Sequence, residues 1–125
     1  MVDFTNKKIF KLKEVDTKEV NSILEGLLID NEKAVRAFSS MRDKLVFTDK
    51  IIISINVQGL TGSKKDYTSI PYSKIQTYSI ETAGVLDLDA ELDITISGLG
   101  TVRFELKATS NIISLSKMMS EKILK

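Results

Sequence analysis

Alternating apolar and polar residues dominate the middle of the chain. From residue 32 to residue 108 the apolar side chains recur mainly at every second position, which is typical of strands with one buried face. The longest such segment spans residues 86–97, and the turn Ser97-Gly98-Leu99-Gly100 joins it to a second one at 101–107. Two alternating segments joined by a glycine-containing turn predict a β-hairpin. The whole region predicts about seven strands.

On both sides of this region, apolar residues recur at the spacing of a helix. Asp16, followed three residues later by Glu19, fits a capping box, and the apolar residues after it predict a short amphipathic helix over 16–29. An apolar stripe near the C-terminus predicts a second helix over 110–125. Residues 1–15 are rich in lysine and are expected to form an N-terminal arm.

Strands with one apolar face must bury that face, either by closing into a barrel or by pairing two sheets. A terminal amphipathic helix suits the open end of such a barrel. The sequence therefore predicts an α+β, mainly β fold: a seven-stranded antiparallel barrel with a C-terminal capping helix and a short N-terminal helix. The length of 125 residues fits a single domain spanning 1–125, with barrel strands over 32–108.

Composition removes whole classes of chemistry. The chain has no Cys and no His, which excludes disulfides, thiolate nucleophiles, zinc ribbons, Ser-His-Asp triads and His-ligated metals. A formal net charge of +1 argues against general nucleic-acid binding, because phosphate affinity needs several uncompensated bases. No signal-peptide pattern and no long apolar run occur, so we expect a cytoplasmic protein. We also expect no cofactor.

The charges are unevenly distributed along the chain. Residues 1–13 carry four lysines and one aspartate, whereas residues 81–93 carry five acidic residues and no base. Residues 101–125 are again basic, with five bases and two acids. These blocks predict faces of opposite sign on one small protein. Such faces either solvate the outside of strands or allow copies of the chain to associate.

Several local motifs resemble those of the bacterial pleckstrin-homology-like domain family, whose members have no established function. The resemblance covers residues from about 17 to 125, and seven strands followed by one helix is also the pleckstrin-homology order. It implies the barrel with its capping helix, suggests ring-like homo-oligomers and implies no catalytic residues. The motifs are Gly26-Leu27-Leu28, Ala37-Phe38, the segment 41–50, the segment 59–65, Ile70-Pro71-Tyr72-Ser73-Lys74-Ile75 and the segment 81–92.

An acidic row is the most visible constellation of side chains. Carboxylates at every second position lie on one face of a strand, about 7 Å apart. Calcium could bind such a row, but the glycine and terminal Glu of a calcium-binding loop are missing. There are two alternatives. The carboxylates form a charge ladder with bases on a neighbouring strand or subunit, or they are simply solvated. The residues are Asp87, Asp89, Glu91 and Asp93, with Arg103, Lys107 and Lys74 as candidate partners.

A loose set of basic residues suggests a second candidate site. In the eukaryotic relatives, bases on the first two strands and their loop bind inositol phosphates, so the resemblance implies a headgroup or anion site here. The alternative is an exposed basic rim, because five bases matter only if they converge. The residues are Arg36, Arg42, Lys44, Lys64 and Lys65.

The sequence favours a non-enzymatic interaction module that forms a homo-oligomer and binds a protein partner. The alternative function is a peripheral binder of anionic lipid or of a membrane surface. An enzyme that uses carboxylates alone is disfavoured, because acid–base work needs a carboxyl group in an apolar pocket, whereas these alternate outward.

Overall fold

The computed structural model describes residues 1–58, 62–82, 89–107 and 112–124. These residues form eight strands, two short 3₁₀ turns and two helices. In chain order they are β1 (Thr5–Val15), the first 3₁₀ turn (Thr17–Val20), α1 (Asn21–Leu24), β2 (Ala34–Ser39), β3 (Asp43–Thr48), β4 (Ile51–Gln58), β5 (Lys64–Pro71), the second 3₁₀ turn (Tyr72–Lys74), β6 (Ile75–Thr82), β7 (Ala90–Ile96), β8 (Gly100–Leu106) and α2 (Ile112–Ile123).

All eight strands belong to one sheet, in the order β5-β4-β3-β2-β1-β8-β7-β6. Neighbouring strands pair antiparallel, except β1 and β8, which pair parallel. The edge strands β5 and β6 are not paired with each other in the described part of the chain. The predicted mainly β fold with a C-terminal helix is confirmed, with eight strands instead of seven and a sheet that stays open.

The eighth strand is β1, which occupies residues expected to form an arm. β1 pairs with both β2 and β8, and Leu12 is fully buried in the core. Ile9 also packs against this core, although it lies three positions from Leu12. The register with β8 shifts between them, and Lys11 has a left-handed backbone with φ 58°. This extra residue interrupts the alternation that a strand normally displays, so the sequence pattern did not indicate one.

The N-terminal helix is shorter than predicted. The side chain of Asp16 accepts a hydrogen bond from the Lys18 amide at 2.9 Å, as a cap does, but α1 already ends at Leu24. Gly26 has φ +80°, and its turn prevents the helix from continuing to residue 29. Val20 and Leu24 are buried against a small cluster on the outer face of β2–β4. That cluster contains Ala37, Val46, Ile53 and Ile55.

The main core lies on the other face of the sheet, beneath α2. Leu115 and Met119 of α2 are fully buried in it, and Phe38 and Phe47 meet edge to face with ring centroids 6.0 Å apart. α2 packs against the second 3₁₀ turn and β6, where the hydroxyls of Tyr78 and Ser120 are hydrogen-bonded. The helix therefore covers the core as a capping helix should.

The N-terminal residues approach the β7–β8 turn very closely. The Thr101 amide donates a hydrogen bond to the carbonyl oxygen of Phe4 at 2.9 Å. Gly100 has φ +116°, and a Cβ atom there would overlap that same oxygen. Gly98, two residues earlier in the turn, has φ +83° but no described atom within 4 Å of its own Cβ position.

These two glycines make a matched pair for a stability test. We expect Gly98→Ala to cost about 1 kcal/mol, because an L side chain disfavours a left-handed backbone. Gly100→Ala should cost about 3 kcal/mol or more, because the new methyl group must also displace Phe4. Urea denaturation of both variants measures the difference, and equal costs would contradict the close approach.

Candidate functional site

A guanidinium group bridges two acidic residues on the outer face of β7. Asp93 and Arg103 are register partners in neighbouring strands. Arg103 donates from Nε to Asp93 Oδ1 at 2.7 Å and from Nη2 to Oδ2 at 2.9 Å. Its Nη1 atom also lies 2.8 Å from Glu91 Oε2. One arginine on β8 thus binds two carboxylates that stand two positions apart on β7.

The surrounding outer face remains acidic. Glu81 and Glu105 are the register partners of Glu91 on β6 and β8, so three carboxylates stand in one row across three strands. Together with Asp93 and Arg103, these residues carry a formal charge of −3. The hydrogen bonds to Asp93, followed by the charges of Asp93, Glu91 and Glu81, raise the pKa of Arg103 above its ordinary value. Like charges directly opposite each other destabilise a sheet, and Arg103 offsets that repulsion.

The other residues predicted for this row lie beyond the ends of β7 and β8, in a turn, or outside the described residues. Asp87 falls outside them. Asp89 precedes β7 and Lys107 follows β8, each just beyond the last registered pair of those strands. Lys74 is in the second 3₁₀ turn and not on a strand beside β7. Within the described ranges no group of three or more acidic side chains is arranged to hold a metal ion.

Arg36, the first of the predicted anion-binding bases, already has partners within the fold. It lies on β2, where its Nε and Nη2 atoms donate to the two carboxylate oxygens of Glu14, both at 2.8 Å. Its Nη1 atom donates to Ser114 Oγ at 3.0 Å, and the guanidinium carbon lies 5.6 Å from the ring centroid of Phe38. Arg36 therefore connects β1, β2 and α2 through its side chain.

Three of the remaining bases gather at one end of β4. Arg42 Nη1 donates to the Val57 carbonyl oxygen at 3.3 Å, and Lys65 is the register partner of Val57. Lys64 is the next residue on the same edge strand. We call Arg42, Lys64 and Lys65 the basic tip. Lys44 lies farther along β3, where its Nζ atom donates to Ser39 Oγ at 3.0 Å.

An exposed methionine at the basic tip was missed by sequence reasoning. Met41 precedes Arg42 in the β2–β3 turn, and 99% of its surface is exposed. A lone apolar residue between two polar neighbours in a predicted turn, Ser40 and Arg42, is the signal that could have indicated it. The tip therefore combines cationic side chains with one projecting apolar side chain.

Comparison with known proteins places the chain in a family. Residues 3–123 match the family described as "Bacterial PH domain". The chain belongs to this family. It is 42% identical over 108 residues to the uncharacterized protein YjqA of Bacillus subtilis (strain 168), a match that covers 85% of this chain and 86% of YjqA. The uncharacterized protein YvbH of the same organism is 35% identical over 71 residues, 55% of this chain and 35% of YvbH.

Two solved structures with the same fold come from Shewanella species. A DUF1696 family protein with a pleckstrin-homology domain from Shewanella loihica PV-4 aligns with a TM-score of 0.79 and 37% identity, over 90% of this chain and 97% of that one. A pleckstrin homology domain from Shewanella amazonensis SB2B aligns with a TM-score of 0.68 and 39% identity, over 89% and 90%. The fold is therefore PH-like, as the sequence predicted.

The open sheet of this bacterial PH domain ends in two edges of opposite charge. β5 and β6 are both eight residues long, and no described strand lies on the outer side of either. Lys64 and Lys65 begin β5, whereas Glu81 lies near the end of β6 and next to the acidic face. An unpaired edge of this length is a template for another strand.

The bridging arginine makes a testable contribution to stability. We expect Arg103→Met to lower the thermal unfolding midpoint at low salt, because Asp93 and Glu91 would lose the guanidinium that binds them both and offsets their repulsion. The deficit should shrink in 1 M salt, where the Debye length falls to about 3 Å.

Lys107→Met removes one positive charge just beyond the end of β8 and serves as the control, with a smaller change expected. An Arg103→Met variant as stable as the wild-type protein at low salt would contradict this account of the acidic face.

Proposed function

We propose that this bacterial PH domain is a non-enzymatic, cytoplasmic interaction module that self-assembles into a homo-oligomer through its two sheet edges. One observation carries the proposal: the unpaired edges β5 and β6 have equal length and opposite charge. In the assembly, β5 of one copy pairs with β6 of the next copy, and the sheet continues from subunit to subunit.

The register of such a pair supports the proposal. If β5 and β6 of two copies align antiparallel over their full lengths, Lys65 stands opposite Glu81. Side chains alternate between the two faces of a strand, and the adjacent residues Asp66 and Ile80 are register partners of residues on the core side. Lys65 and Glu81 therefore both lie on the outer face. An opposite-charge pair directly across two strands contributes about 0.2–1 kcal/mol.

The symmetry of this contact predicts the form of the assembly. Because β5 and β6 are different surfaces, the contact is heterologous, and repetition of a heterologous contact gives a closed ring when the rotation closes. Ring-like homo-oligomers are also what the family resemblance implies. In such an assembly the outer face is continuous, and the acidic surface around Arg103 is repeated in every subunit. We propose that this outer face binds a protein partner.

Size-exclusion chromatography with light scattering tests self-assembly directly. We expect a mass that is a whole multiple of the 14.0 kDa chain. Lys65→Glu and Glu81→Lys should each weaken association about tenfold, because each replaces an attraction with a repulsion. The double variant Lys65→Glu/Glu81→Lys should restore it, since the pair is regenerated with its charges exchanged.

Lys18→Glu reverses an exposed charge in the first 3₁₀ turn, away from both edges, and is the matched control. A strictly monomeric wild-type protein at tens of micromolar would refute self-assembly. Single variants that assemble like the wild type would refute the β5–β6 contact, provided that circular dichroism shows them folded.

Binding of an anionic lipid surface is a second candidate function, and one observation favours it. The basic tip carries the projecting side chain of Met41, so an apolar group could enter the interface while Arg42, Lys64 and Lys65 contact anionic headgroups. Each well-placed base contributes about 1 kcal/mol on such a surface. Neither described helix has the length and apolar character that crossing a bilayer requires.

Co-sedimentation with anionic vesicles at low salt tests this second function. Met41→Asp/Arg42→Glu should weaken binding about tenfold or more, because the variant loses the apolar contact and reverses one charge. Its oligomeric mass should stay that of the wild type, which separates the two functions. Absence of wild-type binding even to purely anionic vesicles would eliminate lipid binding.

A further inference from the structure

A small cleft lies at the corner where the open sheet turns from β5 to β6. It has a volume of about 180 Å³. One wall is the end of β5 with the second 3₁₀ turn, the opposite wall is the β7–β8 turn, and the N-terminal residues form the third. The residues that shape it are Phe4, Ile70, Pro71, Lys74, Ile96 and Leu99.

The walls of the cleft are apolar. Phe4 and Ile70 are buried at its base, and Leu99 stands at its mouth with 48% of its surface exposed. The hydroxyl of Thr68, which also lines the cleft, already accepts a hydrogen bond from the Val2 amide at 2.7 Å and donates to Asp66 at 3.0 Å. This polar group is therefore satisfied within the protein, and the cleft favours an apolar occupant.

The volume limits the size of that occupant. An apolar cavity of about 150 Å³ is large enough to bind benzene. Sites for drug-sized ligands are larger, about 300–1,000 Å³. The cleft therefore fits one compact apolar group of about the size of a benzene ring.

A single charged side chain among the described residues lines the cleft, and it is that of Lys74. Lys74 is exposed, and no ion pair with a described carboxylate involves it. Its position is fixed by the buried Tyr72 in the same turn, whose hydroxyl donates to the Thr48 carbonyl oxygen at 2.8 Å. The nearby N-terminal ammonium is already paired with Asp66. An ammonium group beside an apolar cleft favours an anion attached to an apolar group.

We propose that this cleft binds small carboxylates that carry one compact apolar group, with the apolar group between Phe4, Ile70 and Leu99 and the carboxylate at Lys74. The cleft lies at the corner where the edge strands β5 and β6 are not paired with each other in the described part of the chain. The proposal does not depend on self-assembly or on lipid binding.

Ligand-observed saturation-transfer NMR on the wild-type protein tests the site with three probes. Phenylacetate carries both groups, phenylacetamide lacks the charge and acetate lacks the ring. We expect phenylacetate to bind with a Kd of about 1 mM, as its size allows. Phenylacetamide should bind about two- to fivefold more weakly, because an exposed ion pair contributes little. Acetate should give no signal.

Two variants assign the binding to the cleft. Lys74→Gln should reduce phenylacetate affinity to that of phenylacetamide and leave phenylacetamide binding unchanged. Leu99→Glu should weaken phenylacetate about tenfold, because it places a carboxylate at the mouth. Lys50→Gln removes an exposed lysine elsewhere and should change nothing.

Two results would overturn the proposal. One is the absence of phenylacetate binding at 10 mM, and the other is equal affinity of the wild-type protein and Lys74→Gln for phenylacetate. If Leu99→Glu does not fold, as judged by circular dichroism, the three probes and Lys74→Gln still decide the question, because Lys74 is exposed and its substitution disturbs no described contact.

Discussion

The strand β1 joins two antiparallel halves of the molecule into one sheet. It pairs antiparallel with β2 on one side and parallel with β8 on the other, so β2–β5 and β6–β8 share a single core. The extra residue at Lys11 lets both Ile9 and Leu12 face that core. Because β1 takes the central position, the sheet ends at β5 and β6, and the proposed assembly and the cleft both depend on where it ends.

The charged groups divide into those that hold the fold together and those that remain for contact with other molecules. Arg36 and Glu14 form a bidentate pair that also reaches α2, whereas Arg103 compensates part of an acidic outer face. The excess charge is left at the sheet edges: bases at the start of β5 and acids at the end of β6 and on its neighbours. The small net charge of +1 is thus a cancellation between separate surfaces.

Local alternation was enough to predict most of the sheet. The β7–β8 hairpin is visible in the sequence because each strand alternates cleanly and a glycine turn joins them, and this also brings Asp93 next to Arg103. β1 was not predicted, because the left-handed residue Lys11 breaks its alternation. The N-terminal helix was predicted too long, because its apolar spacing continues past Gly26 while the backbone does not.

The sites were harder to predict, because they depend on contacts between distant segments. The sequence did not indicate that Arg36 has a partner, because Glu14 lies 22 residues away on a strand that the pattern did not reveal. The cleft is formed by Phe4, Ile70 and Leu99, which come from three separate parts of the chain. No local pattern contains such information.

The central claim, that β5 of one copy pairs with β6 of another, is tested most directly by crosslinking. The chain has no cysteine, so Lys65→Cys/Glu81→Cys introduces only the two thiols of interest. Residues opposite each other in antiparallel strands have Cα atoms about 4.5–5.5 Å apart, within the range of a disulfide. Oxidation should give a ladder of covalent oligomers on a non-reducing gel. Each single variant should stay mainly monomeric, because the contact places no second cysteine opposite its own, and one thiol per chain allows at most a dimer. A double variant that stays monomeric after oxidation would contradict the account.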